Sequence, residues 1–84
     1  MYGIGIGFDS RIDDSEYAVE IYENGHFVRQ IDVYNQLWAA ESYIERNKND
    51  KYPGEFYHIL RIDYDKDGNE IGIETVYAEE DELC

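Results

Sequence analysis

The spacing of apolar residues changes period twice along this chain. Over residues 2–8 and 17–34, apolar side chains recur at every second position, which is the period of a β-strand. Residues 35–48 have the three- and four-residue spacing of an amphipathic helix, and residues 55–78 return to the period of two. These periods predict an α+β domain of order β-ββ-α-ββ, an antiparallel sheet of about five strands with one helix packed on one face.

The helix predicted over residues 35–48 packs on the apolar face of the sheet, which must be buried against another element. Its apolar side chains share one face of the helix, and these are Leu37, Ala40 and Ile44. Asn35 is the predicted N-cap, because its short polar side chain can accept a hydrogen bond from a backbone N–H of the first turn. Pro53 prevents the helix from continuing far beyond Asn49.

The first strand pair, residues 17–34, is predicted to turn at residues 23–25. A two-residue Asn-Gly loop would place Tyr22 opposite Phe27 and mix the apolar and polar faces. A three-residue loop, with the glycine in a left-handed bulge, pairs Ile21 with Phe27 and collects the apolar side chains on one side. We therefore expect the three-residue loop.

The second strand pair, residues 55–78, is predicted to turn at Asp67 and Gly68 as a two-residue loop. This register pairs apolar residues with each other and a cation with an acid: Tyr64 with Ile71, Ile62 with Ile73, Arg61 with Glu74, and Ile59 with Val76. The acidic residues after position 78 are expected to fray.

The net charge excludes more classes of function than any sequence motif does. Twenty acidic residues against seven lysines and arginines give a formal net charge of −13 in 84 residues. Such a surplus repels nucleic acid and anionic membranes and favours a basic partner protein. Hydrophobic residues make up 43% of the chain, so we expect a single folded domain over residues 1–84 rather than a disordered acidic chain.

The expected compartment is the cytoplasm. The single cysteine, Cys84, provides no disulfide framework, which suits a reducing environment. Met1 is not followed by the basic and apolar regions of a secretory signal, and no apolar run approaches the roughly 20 residues that cross a bilayer. We expect a protein that is monomeric or homodimeric and binds no membrane.

A pattern similar to the EF-hand calcium loop occurs in the second strand pair. It fits D-x-D/N-x-D/N-G-x5-E through Asp63, Asp65, Asp67, Gly68 and Glu74. Two departures favour a hairpin turn. Glu70 stands where the calcium loop has an apolar residue, and the segment after it is β-branched and aromatic rather than helical. We assign no metal and no cofactor, and a calcium-binding module at residues 63–74 is the alternative.

Catalysis has little support in the sequence. His26 and His58 are the two histidines, and neither stands at a recognisable spacing from a nucleophile and an acid. Cys84 has no evident base to activate its thiol. We therefore predict no catalytic residue, and a protein that is not an enzyme.

The acids instead predict a partner-binding surface. Ten are expected to contribute: Asp9, Asp13, Asp14, Glu16, Glu41, Glu45, Glu79, Glu80, Asp81 and Glu82. Alternate residues on one strand face lie about 6.7 Å apart, or twice the axial step of about 3.4 Å between phosphates of one DNA strand. Tyrosines beside such carboxylates would add rigid contact area.

By size, acidity and element order, the chain resembles the small phage-encoded inhibitors of host defence, such as anti-CRISPR and antirestriction proteins. The resemblance lies in the strand pair Tyr17–Tyr34 with its Glu-Asn-Gly turn, the helical segment Leu37–Arg46 and the acidic ends. It implies a non-enzymatic inhibitor in the host cytoplasm, a nucleic-acid mimic that blocks the basic nucleic-acid-binding groove of a defence complex such as a CRISPR effector. An immunity protein or antitoxin that blocks a basic toxin is an alternative with the same surface.

Overall fold

The computed structural model of the protein describes residues 11–82. Its elements are β1 (Asp14–Glu23), β2 (His26–Tyr34), α1 (Leu37–Arg46), β3 (Glu55–Tyr64), β4 (Glu70–Ala78) and α2 (Glu79–Glu82). The predicted α+β class is confirmed, because the strands form one antiparallel sheet in the order β2-β1-β3-β4 with α1 on one face. The described sheet has four strands rather than five, and the strand predicted at residues 2–8 lies outside the described residues.

The hydrophobic core lies between α1 and the first three strands of the sheet. Its buried members come from β1, α1 and β3, and they are Val19, Ile21, Ala40, Ile44, Tyr57 and Ile59. Val19 and Ile59 lie opposite each other in the two central strands, and both are fully buried. Leu37, predicted to share the apolar face of the helix, is 36% exposed at its first turn.

The sequence predicted Asn35 as the N-cap, but the helix begins one residue later. Gln36 is the N-cap, in an extended conformation, and its side chain forms no capping hydrogen bond. Its carbonyl accepts hydrogen bonds from the N–H groups of Ala39 and Ala40, which fixes where the first turn starts. At the other end, the backbone N–H of Asn47 donates to carbonyls of the last turn.

The first hairpin has the two-residue loop Asn24-Gly25, so the predicted three-residue loop is wrong. The φ angles of 54° at Asn24 and 80° at Gly25 are those of the primed turn that matches strand twist. Tyr22 therefore lies opposite Phe27. Two register shifts along the β1–β2 pair correct the mixing of faces that this loop would otherwise cause, so that Ile31 still packs against the core.

The second hairpin confirms the centre of the predicted register and corrects its ends. Ile62 pairs with Ile73 and Arg61 with Glu74, whereas Tyr64 pairs with Glu70 and Ile59 with Tyr77. The loop is wider than two residues because of Asp65. Its N–H donates to the Asn69 carbonyl at 2.9 Å, and its carboxylate accepts the N–H groups of Asp67 and Asn69, each at 2.9 Å.

Candidate functional site

The central strand β1 separates its side chains between two faces. Val19 and Ile21 point into the core under α1. Because alternate residues of a strand point in opposite directions, Asp14, Glu16 and Glu20 lie on the other face, which we call the open face. Asp14 is exposed on this face, and Glu16 and Glu20 are partly exposed. Three carboxylates thus occupy one side of the strand at the centre of the sheet.

Tyrosine hydroxyls hold two of these carboxylates. Tyr64 donates a hydrogen bond to Oε1 of Glu16 at 3.0 Å, and Tyr22 donates one to Oε1 of Glu20 at 3.2 Å. The bond to Glu16 raises the pKa of the Tyr64 phenol. Burial, followed by the nearby Glu20 charge, raises the pKa of Tyr22. Both phenols therefore remain protonated donors at neutral pH, and both carboxylates keep fixed positions.

The loop between β3 and β4 brings further acids to the same end of the sheet. The N–H of Asp13 donates to the Tyr64 carbonyl at 2.8 Å, which joins the start of β1 to the end of β3. A shallow cleft there is lined by Asp13, Asp14, Glu16, Tyr64, Asp65, Lys66 and Gly68. Hydrogen bonds from Asn69, the backbone N–H foremost, lower the pKa of Asp65, so this carboxylate is ionised over the whole neutral range.

We define the acidic surface as six residues: Asp13, Asp14, Glu16, Glu20, Asp65 and Asp67. The salt bridges between described residues involve other acids, and two cations lie beside this surface: the charge of Arg11 helps to lower the pKa of Asp65, and Lys66 lines the cleft. Asp13, Asp14 and Glu16 were predicted from the sequence. Glu20 was missed although it stands four residues after Glu16 in the same alternating strand, and Asp65 and Asp67 were interpreted as part of a turn or a calcium loop.

The other predicted binding residues are placed as follows. Asp9 is outside the described residues. Glu41 and Glu45 are on α1, across the sheet from the open face. The four acids Glu79–Glu82 form α2 instead of a frayed tail, and α2 begins beside Tyr57. Tyr57 is seven residues from Tyr64 along β3, or about 23 Å, so α2 lies far from Asp14 and Asp65 but next to the Glu20 end of the acidic surface, where Glu20 pairs with His58. The two acids of α1 are thus on the opposite face, whereas Glu80 lies near Glu20.

Two acids of the tail have partners within the fold. Glu79 is 8% exposed; it accepts the N–H of Tyr57 at 2.9 Å and forms an ion pair with Lys51 at 3.3 Å. Glu80 contacts Nε2 of His58 at 2.7 Å. The His58 ring in turn stacks on Tyr22 with centroids 4.0 Å apart. These contacts attach α2 to β3.

A second buried acid, Glu55, lies at the end of the sheet near the first hairpin loop. Arg29 donates two hydrogen bonds to the carboxylate of Glu55, at 3.0 and 3.2 Å, and Tyr52 N–H donates a third at 3.2 Å. Glu55 is 7% exposed. The hydrogen bonds from Arg29 lower the pKa of Glu55. Arg29, which lies opposite the core residue Ile21, thus has a structural partner.

Acidification is expected to remove the stabilisation that Glu55 provides. Its folded-state pKa lies below the ordinary value of 4.5. The pair therefore stabilises the fold above pH 4.5, and this contribution is lost as the pH falls through the lowered value. Urea unfolding should show that Glu55→Gln is less stable than wild type near neutral pH, and that the difference shrinks on going to about pH 3. A difference that is unchanged at about pH 3 would contradict the assignment.

The residues of the EF-hand-like pattern belong to a hairpin. Asp63 is nearly buried and accepts a hydrogen bond from the Ser15 hydroxyl at 2.6 Å, and Glu74 pairs with Arg61 across the strands at 2.9 Å. Asp65 binds the N–H groups of its own loop. Over residues 11–82, no three histidine, cysteine or acidic side chains come together as metal ligands.

Comparison of the chain with protein-family models, curated proteins and solved structures found no match. Neither helix in the described part of the chain is long and apolar enough to cross a membrane.

Proposed function

We propose that the protein is a non-enzymatic inhibitor whose acidic surface occupies the basic nucleic-acid-binding groove of a defence complex, such as a CRISPR effector. The observation that carries the proposal is the row of carboxylates on the open face of β1, two of which are held by tyrosines. Asp14 and Glu16 are about 6.7 Å apart along the strand, and Glu16 and Glu20 about 13 Å. These intervals are close to two and four axial phosphate steps of about 3.4 Å.

The electrostatics of the surface support the same proposal. Asp14, Glu16 and Glu20 form no salt bridge with a lysine or arginine among the described residues, so their charge is available to a partner. The net charge of −13 adds a long-range attraction towards a basic groove. Tyr22 and Tyr64 supply rigid rings beside the carboxylates, as binding surfaces often do. An inhibitor of this kind needs no catalytic group, because occupancy of the groove is sufficient.

Displacement of DNA tests the proposal directly. Purified CRISPR effector complexes and restriction nucleases are loaded with a fluorescein-labelled duplex, and the protein is added while fluorescence anisotropy is recorded. For at least one of these complexes we expect stoichiometric displacement at about 50 mM salt, with affinity at least tenfold weaker at about 300 mM, because salt screens the charges. If no complex releases its duplex, or if the affinity of a complex that does is the same at both concentrations, the mimicry proposal is wrong.

A further inference from the structure

Apolar side chains lie beside the carboxylates of β1 on the open face. Glu16 lies opposite Ile62 of β3, and Ile62 lies opposite Ile73 of β4, so the three side chains form one row across the sheet. Leu60 is two residues from Ile62 along β3 and therefore points to the same face. We call Leu60, Ile62 and Ile73 the apolar strip. Because neighbouring strands are about 4.8 Å apart, the strip begins one strand away from Glu16.

The apolar strip is open to solvent. Ile73 is 54% exposed, and Leu60 and Ile62 are partly exposed. Within the described part of the chain, none of the three belongs to the core under α1 or packs against it. An exposed apolar patch bordered by polar side chains is typical of a surface that binds another protein. Here the polar border is the row of carboxylates on β1.

We propose that the apolar strip binds the methylene stems of lysines or arginines in the partner's groove, an inference that rests on the function proposed above. Lysine and arginine lay their hydrocarbon stems along apolar surface while the charged group stays in a polar position. A stem of three or four methylene groups spans the single strand spacing from Ile62 to Glu16. These are also the residues with which proteins neutralise phosphates. The charge of Asp14 and Glu16 complements the charged groups at the ends of these stems.

The apolar strip adds a contribution to binding that salt does not screen. The attraction between the β1 carboxylates and the partner's cations weakens as the salt concentration rises. Burial of Ile73 against a methylene stem depends instead on the apolar area that is removed from water. The two contributions therefore differ in their response to salt, and this difference can be measured.

Displacement of the labelled duplex, measured at about 50 mM and about 300 mM salt, separates the two contributions. Ile73→Ala is expected to weaken displacement about fivefold at both concentrations. The loss caused by Asp14→Asn should shrink at the higher concentration, because it is electrostatic. Trp38→Ala is the matched control. It truncates a side chain that is 67% exposed on α1, across the sheet from the strip, and should leave displacement unchanged.

A double variant tests whether one side chain of the partner contacts both Glu16 and Ile73. In Glu16→Gln the partner's charged group loses its anchor, so its stem is no longer held over the strip. Ile73→Ala should then weaken displacement by less than about twofold in that background, since contacts that share one partner are not additive. Glutamine keeps an oxygen that can accept the hydrogen bond from Tyr64, so the substitution preserves this contact between β1 and β3.

The possible results distinguish the apolar strip from the proposed function. If the wild type releases the duplex and Ile73→Ala releases it equally well, the strip has no part in binding and the proposed function stands. The same conclusion follows if the loss in Ile73→Ala shrinks with salt, or if Trp38→Ala loses as much. Additive losses in the double variant would show that no single lysine or arginine joins Glu16 to Ile73, which overturns the inference. If the wild type releases no duplex from any complex, the proposed function and the inference are both wrong.

Discussion

Replacing Ile59 by alanine is expected to destabilise the protein by about 2–5 kcal/mol, the largest loss from any single substitution proposed for this chain. Ile59 is fully buried at the centre of β3, where it lies opposite Val19 on one side and Tyr77 on the other. Truncation leaves a cavity in a sheet that is packed from one side by α1. A domain of this size has a total stability of roughly 4–13 kcal/mol, so a loss of this size removes a large fraction of it.

Ile73 provides the matched control for this loss. It belongs to the same β3–β4 hairpin, pairs with Ile62 on the open face and is 54% exposed. Ile73→Ala should therefore cost less than about 1 kcal/mol, and Ile59→Val about 0.5–1.5 kcal/mol. Urea unfolding followed by circular dichroism measures all three. If Ile73→Ala costs as much as Ile59→Ala, the core is not confined to the face that carries α1.

The order of the elements could be predicted because each segment has one dominant period. The positions of Ala40 and Ile44 required a helix, and the alternation of β1 required a strand with two different faces. The first hairpin could not be predicted in the same way. A register argument assumes unbroken pairing, whereas two shifts along β1–β2 allow the favourable Asn-Gly turn and a continuous core together.

The candidate site was predictable only where it follows from a single strand. Asp14 and Glu16 are two residues apart in β1, so their common face follows from the sequence. Their proximity to Asp65 depends on the pairing of β1 with β3, which are far apart along the chain. Glu79 illustrates the opposite case. A carboxylate in an acidic tail is expected to be solvated, and it is buried here because Tyr57 N–H and Lys51 compensate it.

Charge reversal at the acidic surface is expected to abolish inhibition while the fold persists. Asp13→Lys, Asp14→Lys and Glu16→Lys together should raise the concentration needed to displace a labelled duplex by roughly 100-fold, since each reversal costs about 1 kcal/mol of binding. The three side chains are exposed or partly exposed, and none has a salt bridge within residues 11–82. The loss should be largest at low salt, where opposite charges attract most strongly.

Reversing three acids outside the acidic surface changes the net charge by the same amount. It therefore separates the effect of the local carboxylates from the effect of total charge. Glu23→Lys, Asp32→Lys and Asp50→Lys alter three exposed acids outside the acidic surface, and we expect displacement to weaken by less than about tenfold. The double variant Asp13→Lys with Asp14→Lys keeps both partners of the hydrogen bond from Tyr64 to Glu16, so a loss of binding in that variant does not stem from the loss of that bond. If the variant with three reversals outside the acidic surface loses as much inhibition as the variant with three reversals within it, binding depends on the total charge of the protein. The arrangement of carboxylates along β1 would then have no part in recognition.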